Sequence, residues 1–422
     1  MVALSPPANA LGADTDRPLS ALQIRVFLLC AAVVLLDGYD LQAMALAVPT
    51  LAAQWHLPAP AFSLTLSASL LGLGLGSAFI APLGDRLGRR PLLLGGMTLI
   101  LVTSLGATTA TAPWQLMVWR LLVGLGLGVC QSNASALTAE FAPRARRATI
   151  MTLMGVCVSL GAVLAGATAP QVLAAAGWRG LFLVGAALPL LVVLVAALSL
   201  PESPAILAQG SGGEGAAVAL TQDRGSLAAL LAAPYRERTL RLWFVYGLSA
   251  MLLYFLMSWL PVFLTSAGWS RSQAPHGIAL LQFGGILGSL AQSWLVDRRR
   301  AITALVGGYS VTLVTALLFL FPGTAPAWPA LLVLMGSGVA GVMMSIIALG
   351  AIFYPPQIRV TGFGWAGAVT RIGAVLGPLA GGWIIAAGVT PRTTLGLIAI
   401  PSVLCIVGTL AMRRSVAEAQ MS

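Results

Sequence analysis

The chain has 422 residues, of which 58% are hydrophobic and 8% are charged, whereas an ordinary soluble domain carries roughly 25% charged residues. This composition excludes a water-soluble globule. Twelve membrane spans of about 20 residues would occupy roughly 240 positions, which leaves room for short loops and one longer connection but for no separate soluble enzyme domain. The net charge is +11, and all 23 basic residues are arginine.

The basic residues and the cysteines exclude further classes. The arginines occur in small groups between apolar runs, so we expect no nucleic-acid partner, which would need a basic face on an exposed module. All four cysteines lie inside apolar runs, where a free cysteine behaves as a small hydrophobic residue, so we expect neither disulfides nor a metal site. Residues 1–22 lack the pattern of a cleaved signal peptide, and the first apolar run is therefore expected to be a retained helix.

Apolar runs of helix-spanning length predict an all-α integral membrane protein with twelve transmembrane helices. In chain order the runs lie at 24–48, 61–82, 91–112, 114–138, 148–172, 179–200, 240–264, 275–296, 301–321, 328–353, 361–387 and 393–412. Gly-Pro breaks inside some runs are compatible with spanning helices, because neighbouring helices can satisfy the freed backbone groups. We number these predicted helices 1 to 12.

The arginines divide unequally when they are assigned to alternate loops. Three lie on one side, namely Arg179, Arg271 and Arg392. Eighteen lie on the other side: Arg17, Arg25, Arg86, Arg89, Arg90, Arg144, Arg146, Arg147, Arg224, Arg236, Arg238, Arg241, Arg298, Arg299, Arg300, Arg359, Arg413 and Arg414. The positive-inside rule makes the side with eighteen arginines cytoplasmic, so we expect an inner-membrane protein with both termini in the cytoplasm.

The two halves of the chain match each other at a constant offset. Three pairs of positions are 212 residues apart in equivalent loops or helices: Asp85-Arg86 with Asp297-Arg298, Arg147 with Arg359, and Gly161 with Gly373. Such an internal repeat predicts two pseudo-symmetric six-helix bundles around a central cavity, the architecture that a rocking, alternating-access transporter needs. The expected division is a tail 1–23, a bundle 24–200, a Gly- and Ser-rich cytoplasmic linker 201–239, a bundle 240–412 and a tail 413–422.

The loop after helix 2 carries a signature motif. It reads Ala81-Pro-Leu-Gly-Asp85-Arg86-Leu-Gly88-Arg89-Arg90 and resembles the G-x-L-x-D-R-x-G-R-R signature of the major facilitator superfamily, with Ala81 in place of the first glycine. A carboxylate that pairs with arginines here can hold the two halves together in one state and release them in another. The predicted cytoplasmic gate therefore contains Asp85, Arg86, Arg89, Arg90, Arg147, Asp297, Arg298 and Arg359.

Four charged residues lie inside predicted spans: Asp37 and Asp40 in helix 1, Arg120 in helix 4 and Arg371 in helix 11. A charge at the centre of a spanning helix costs on the order of 2.5–3.5 kcal/mol, so such groups usually face a cavity and a partner. Asp37 and Asp40 are three residues apart and share a helix face, and two neighbouring carboxylates resist ionising together. They are candidates for proton coupling, as is Glu140, which could instead bind a gate arginine or be a simple helix-end carboxylate.

Further motifs narrow the resemblance. Three segments carry it: Leu36-Asp37-Gly38-Tyr39-Asp40, Pro201-Glu202-Ser203-Pro204, and Arg371-Ile-Gly373-Ala-Val-Leu-Gly377-Pro378 with the glycines that follow. Together they resemble the aromatic acid:proton symporter family. The resemblance implies uptake of a benzoate-like carboxylate with protons, with Asp37 and Asp40 matching the D-G-x-D carboxylates and Arg371 matching the arginine of helix 11. It also implies a proton gradient as the energy source and no cofactor.

Arg371 is the first candidate for binding the substrate carboxylate, because a planar guanidinium binds a carboxylate with two hydrogen bonds and stays charged in an apolar cavity. Arg120, whose surroundings resemble the superfamily's R-x-x-x-G motif in helix 4, could do the same or could hold Asp37 or Asp40 ionised. The further candidates for lining the site are polar or aromatic: Tyr39, Gln42, Asn133, Tyr246, Tyr254, Phe255, Trp259, Gln282, Phe283 and Trp365.

Alternative functions remain open on the sequence. The nearly apolar stretch 343–347 of helix 10 allows a larger or more apolar aromatic acid, and a transporter of another organic anion or a drug:proton antiporter would share the fold. A membrane enzyme is disfavoured because both histidines, His56 and His276, lie near the outer surface, far along the chain from the buried carboxylates. The expected partners are a small organic acid, protons and the lipid bilayer, with the chain acting as a monomer.

Overall fold

A computed structural model of the chain describes residues 19–143, 146–204, 206, 230–232, 235–298, 300–353 and 356–413. These residues are almost all helical and contain no β-strand, which confirms the all-α prediction. Ten apolar helices in the described part of the chain are long enough to cross a bilayer.

The first six helices are α1 to α6. Their bounds are Ala21–Trp55 (α1), Ser63–Leu75 (α2), Arg89–Thr108 (α3), Pro113–Phe141 (α4), and Arg147–Ser199, which contains α5 and α6. Helix α1 begins at a capping box, in which the Ser20 and Gln23 side chains each accept a hydrogen bond from the other residue's backbone N–H. Gly177 separates α5 (147–176) from α6 (178–199), because its φ of 61° is a left-handed conformation that favours glycine. A 3₁₀ turn, Ala59–Phe62, precedes α2, and α2 continues through a π turn, Gly76–Ile80, and two short helices, Ala81–Leu83 and Gly84–Leu87.

The last six helices are α7 to α12. Their bounds are Arg236–Ser266 (α7), Ala274–Asp297 (α8), Ala301–Phe319 (α9), Trp328–Phe353 (α10), Pro356–Ala386 (α11), and Pro391–Leu397 with Ala399–Ala411 (α12). The 51 apolar residues of Thr149–Ser199 are about 75 Å long at 1.5 Å per residue, enough for two crossings of a hydrocarbon core of roughly 30 Å. Ten spans become eleven when Thr149–Ser199 is counted as α5 and α6. The 26 residues of α10 make the twelfth, so the described part of the chain contains all twelve predicted spanning helices.

Close backbone approaches at glycine recur along the chain at an offset of 212 residues. A Cβ added at Gly72 would collide with the carbonyl group of Leu121, and a Cβ at Gly284 would collide with that of Val333. Gly124 lies equally close to the carbonyl of Ser69, as Gly336 does to that of Leu281. Gly161 lies close to the carbonyl of Leu35, as Gly373 does to that of Gly247. Small residues let spanning helices approach closely, so α2 packs on α4 as α8 packs on α10. The division into bundles 24–200 and 240–412 stays a prediction, since most of the linker 201–239 lies outside the described residues.

The apolar core is shared at one end of the molecule and divided at the other. One end, here called the arginine-rich face, carries Arg25, Arg86, Arg146, Arg241 and Arg413. Toward the opposite face, a single cluster joins the first six helices to the last six and includes Leu51, Trp178, Phe182, Trp259, Phe263 and Trp328. Toward the arginine-rich face there are two separate clusters, one with Val26, Leu93 and Leu200 and the other with Leu242, Leu305 and Met412. The two sets of helices therefore converge at the opposite face and diverge toward the arginine-rich face.

Direct contacts close the opposite face. The Ser67 hydroxyl of α2 donates to the carbonyl oxygen of Val375 in α11 at 2.8 Å. Gly166 of α5 lies against the backbone of Pro275 and Ala279 in α8, where a Cβ would be too close. These contacts hold the two sets of helices together beyond the level of the buried charges.

Candidate substrate and proton site

The buried charges lie where the shared core ends. In α1, Leu36 is the last residue of the cluster on the arginine-rich side, and Tyr39 is the first residue of the shared cluster. Asp37 and Asp40 are therefore at the apex of the opening, with 2% and 3% of their surfaces exposed. Arg371 of α11 is only half-buried, whereas the two aspartates are almost completely buried.

Arg120 and Asp40 form a buried ion pair between α4 and α1. Arg120 Nη1 donates to Asp40 Oδ1 at 2.7 Å, and Nη2 donates to the backbone carbonyl oxygen of Asp40 at 3.3 Å. The Arg120 side chain has no exposed surface, and its guanidinium lies 5.9 Å from the centre of the Phe182 ring. Of the two roles that the sequence left open for Arg120, the structure shows the contact with a carboxylate of α1, and both roles stay predictions.

A hydrogen-bonded chain joins Asp37 to Arg371 through Gln131 of α4. Gln131 Nε2 donates to Asp37 Oδ2 at 2.9 Å, and Arg371 Nη2 donates to Gln131 Oε1 at 2.9 Å. Among the ion pairs of the described residues, none joins Asp37 to Arg371 directly. The chain crosses from the first six helices to the last six at the apex of the opening.

Sequence reasoning missed Gln131, although a signal was available. Gln131 is eleven residues after Arg120, which is about 20° from three full turns of an α-helix. Gln131 therefore lies on the same face of α4 as the buried Arg120. An amide on the charged face of a spanning helix was a stronger candidate than an amide chosen for its polarity alone.

Several polar groups surround Asp37. Tyr254 of α7 lies close enough to interact electrostatically with both Arg371 and Asp37, and Cys130 is similarly close to Asp37. Asp37 Oδ1 and Asp40 Oδ2 are buried and accept no hydrogen bond within the described part of the chain. Each aspartate thus has one oxygen in a hydrogen bond and one without a partner among the described residues.

The other polar candidates lie elsewhere in the helices. Within the described residues, both amide atoms of Gln42, which is 1% exposed, have no hydrogen-bond partner, and neither does Oε1 of Gln282, which is 3% exposed. Asn133 instead ties α4 to the end of α2, because its Nδ2 donates to the carbonyl oxygens of Val129 at 2.9 Å and Ala81 at 3.4 Å. The substrate-binding roles of these three amides stay predictions.

Most of the aromatic candidates link helices. Tyr39 donates to the carbonyl oxygen of Leu181 at 3.3 Å, Tyr246 to that of Ile346 at 2.9 Å, and Trp259 Nε1 to that of Pro378 at 2.8 Å. About half of the Phe283 surface and less than half of the Trp365 surface are exposed, and the Trp365 ring centre lies 6.0 Å from that of Trp243. Tyr254 is the predicted aromatic residue within electrostatic range of both Arg371 and Asp37, and the contribution of all these aromatic residues to substrate binding stays a prediction.

The predicted gate residues of the first six helices bind one another. Arg89 pairs with Glu140 of α4 (Nε to Oε1, 2.6 Å) and with Asp85 (Nη2 to Oδ1, 3.1 Å). Glu140 also accepts a short hydrogen bond from the Ser203 hydroxyl. Of the two roles left open for Glu140, the structure shows arginine binding, about 13 Å along α4 from Gln131. Glu140 therefore makes no direct contact with Asp37, Gln131 or Arg371, and its part in proton coupling stays a prediction.

Glu202 caps α3. Its Oε1 accepts hydrogen bonds from the backbone N–H groups of Arg89 at 2.8 Å and Arg90 at 3.2 Å, at the helix end where a negative charge is favourable. The bonds of Asp85, Arg89, Glu140 and Glu202 therefore tie the end of α2, α3, α4 and the segment after α6 to one another. None of these bonds reaches the last six helices.

The remaining gate candidates show less. Arg86 and Arg147 are exposed, and Arg298 stacks over the Trp294 ring at 3.8 Å. The side chains of Asp297 and Arg359 lie outside the described residues. Bonds across the gate between the two sets of helices stay a prediction for a state in which this face is closed.

Removal of the Glu202 cap is expected to lower stability. Glu202→Ala leaves two backbone N–H groups of α3 without their acceptor, which costs about 1–2 kcal/mol. The unfolding temperature of the purified protein in detergent measures this loss. The control is Glu237→Ala, since Glu237 is an exposed residue that pairs with Arg241 one turn away, a contact worth about 0.3–0.5 kcal/mol. Equal effects of the two substitutions would contradict the capping role.

Breaking the Arg120–Asp40 pair is expected to destabilise the protein strongly. Arg120→Met leaves the Asp40 carboxylate buried without its cation, which costs about 3–5 kcal/mol. Combining it with Asp40→Leu removes the uncompensated charge and should restore most of the unfolding temperature. Arg241→Met, at an exposed pair, is the matched control, and an Arg120→Met protein as stable as that control would show that the buried pair does not stabilise the fold.

With this geometry in place, comparisons with known proteins identify the family. The chain matches the Major Facilitator Superfamily over residues 28–368, and it belongs to that family. It is 31% identical to the 4-hydroxybenzoate transporter PcaK of Pseudomonas putida over 95% of this chain and 96% of the relative. It is also 35% identical to the 3-(3-hydroxy-phenyl)propionate transporter of Escherichia coli, over 91% of this chain and 92% of the relative. These matches confirm the resemblance predicted from the motifs.

Solved structures share the fold. The bacterial homolog of the human lysosomal transporter Spinster, in its inward-facing and unoccupied conformation, superimposes with a TM-score of 0.75 at 17% identity, covering 95% of this chain and 99% of that chain. A D-xylose-proton symporter superimposes with a TM-score of 0.73 at 18% identity, covering 94% and 99%. The protein is thus a multi-pass membrane transporter of the major facilitator fold and not an enzyme. No group of three or more metal-ligating side chains occurs within the described ranges.

Proposed function

We propose that this protein takes up an aromatic carboxylate together with protons by alternating access. The observation that carries the proposal is the chain Asp37–Gln131–Arg371, which places an arginine and a carboxylate in contact through one amide at the apex of the opening. The relatives named for 4-hydroxybenzoate and for 3-(3-hydroxy-phenyl)propionate support the class of substrate.

Arg371 binds the substrate carboxylate in this proposal. One of its N–H groups is used by Gln131, and a guanidinium has five such donors, so an edge remains for two parallel bonds to a carboxylate. Tyr254 provides an aromatic surface on the facing helix α7. Since Arg120 is paired with Asp40 and has no exposed side-chain surface, the half-buried Arg371 is the better placed of the two cations for an incoming anion.

Asp37 carries the proton. Asp40 is paired directly with the Arg120 guanidinium, whereas Asp37 is linked to the Arg371 guanidinium only through the neutral amide of Gln131. A substrate anion at Arg371 adds a second negative charge beside Asp37, and protonation of Asp37 removes it. Binding of the anion and binding of the proton therefore reinforce each other, and such coupling is reciprocal.

The direction of the cycle follows from the arginine distribution. The arginine-rich face is cytoplasmic by the positive-inside rule, so a structure that diverges toward this face is inward-facing and both termini lie in the cytoplasm of an inner-membrane protein. Release of substrate and proton to the cytoplasm occurs from this state. The transporter works as a monomer, with the proton gradient as its energy source and no cofactor.

Proteoliposomes test the mechanism. Uptake of labelled 4-hydroxybenzoate should be driven by an inwardly directed proton gradient and should collapse when a protonophore is added. Efflux driven by the same gradient would overturn the proposal in favour of a proton antiporter.

A thermal-shift panel tests the substrate class. Aromatic acids should raise the unfolding temperature of the purified protein more than aliphatic acids of the same charge, because a ligand that binds the folded state stabilises it. The panel contains 4-hydroxybenzoate, gallate, gentisate, benzoate and 3-(3-hydroxyphenyl)propionate, with acetate and succinate as aliphatic comparisons. A larger shift with the aliphatic acids would favour a transporter of another organic anion.

A further inference from the structure

Gln131 lies between Arg371 and Asp37 and is hydrogen-bonded to both. Its amide accepts from Arg371 on one side and donates to Asp37 on the other, each at 2.9 Å. A guanidinium can only donate, so Arg371 must face the amide oxygen. The amide nitrogen then faces Asp37, which accepts with Oδ2, and the orientation of the amide is set by both neighbours.

A direct contact between Asp37 and Arg371 would oppose transport. Opposite charges attract strongly in a weakly polar interior, and a closed pair would neutralise the positive charge of Arg371 that attracts a substrate anion and would occupy the carboxylate that receives the proton. The other charged groups do not prevent this contact, because Arg120 is bound to Asp40. Gln131 is the group that lies between them.

We infer that Gln131 is a spacer that keeps Arg371 available to the substrate carboxylate and Asp37 available to the proton by preventing their direct pairing. This inference rests on the proposed function and adds a positioning residue to it. Gln131 contributes no charge and takes up no proton. It sets the distance between the Asp37 carboxylate and the Arg371 guanidinium, so that the two interact electrostatically without forming a direct ion pair.

The chemistry of the amide defines informative substitutions. Gln131→Ala removes the spacer and lets Asp37 and Arg371 approach. Gln131→Ser also shortens the side chain, and its hydroxyl keeps the site polar. Gln171, an exposed glutamine in α5, provides the matched control, Gln171→Ala.

A double-variant experiment separates a spacer from a merely structural residue. The apparent Kd of the most stabilising aromatic acid of the panel is measured by thermal shift in the full-length protein. We expect Gln131→Ala to weaken binding by about tenfold or more, and Gln171→Ala to leave it unchanged. Asp37→Asn removes the competing charge, so Gln131→Ala combined with Asp37→Asn should recover binding to within about threefold of Asp37→Asn alone, a coupling that only interacting sites show.

Each other outcome overturns the inference. Unchanged binding in Gln131→Ala would show that no spacer is needed, and weak binding that Asp37→Asn does not recover would show a structural role. If Gln131→Ala does not fold, Gln131→Ser, which also removes the spacer, is read in the same way, with and without Asp37→Asn. A wild-type protein that none of the aromatic acids stabilises would instead overturn the proposed function itself, which is distinguishable because the failure then appears before any substitution.

Discussion

Replacement of Asp37 by asparagine is expected to abolish proton-driven accumulation of substrate while exchange of labelled for unlabelled substrate continues. Asparagine has nearly the same shape and can still accept from Gln131, but it cannot take up a proton. Without the proton, the cycle can return only with substrate bound, so exchange persists and net accumulation does not. Accumulation under an inward proton gradient and counterflow without a gradient, measured in the same proteoliposomes, test the two halves of this prediction.

The control for Asp37→Asn is Glu237→Gln, which removes a carboxylate at the exposed start of α7. That variant should retain both accumulation and exchange. If accumulation survived in Asp37→Asn, the proton site would move to Asp40 or Glu140, the other two carboxylates that the sequence puts forward.

Replacement of Arg371 by lysine is expected to weaken substrate binding by about 10- to 100-fold, although the charge is retained. A charge-assisted hydrogen bond contributes about 1.5–3 kcal/mol, and lysine cannot form the two parallel bonds of a guanidinium with a carboxylate. Lysine also lacks the second group of donors with which a guanidinium could bind Gln131 and a carboxylate at the same time. The apparent Kd from thermal shift and the KM of counterflow should both rise.

Arg271→Lys is the matched control, because Arg271 is exposed near the opposite face. It should leave both constants unchanged. Unaltered substrate affinity in Arg371→Lys would refute the assignment of Arg371 as the carboxylate ligand and would return attention to Arg120.

The site was only partly predictable from the sequence. The cost of burying a charge in a spanning helix singled out Asp37, Asp40, Arg120 and Arg371, and the structure gathers all four near the end of the shared core. Their partners were not predictable, because three-residue spacing shows that Asp37 and Asp40 share a helix face but not what packs against it. In the structure the two carboxylates have different partners, an arginine for Asp40 and a glutamine for Asp37.

The gate shows a similar division. The motif after helix 2 predicted a cluster of arginines and carboxylates, but its residue types do not say whether the bonds lie within one set of helices or across two. The structure places the Arg89, Glu140 and Glu202 bonds within the first six helices. This arrangement agrees with a protein that diverges toward the arginine-rich face.

The sequence by itself determined the number of spanning helices, the all-α class, the uneven distribution of arginine and the identity of the buried charges. These properties follow from hydropathy and from the cost of burying charge, which act locally along the chain. Only the tertiary structure decided which face is open, which carboxylate is bound by Arg120 and that Gln131 stands between Asp37 and Arg371. Gln131 and Arg371 are 240 residues apart, and a contact over that separation depends on how α4 and α11 pack, which no local property of the chain specifies.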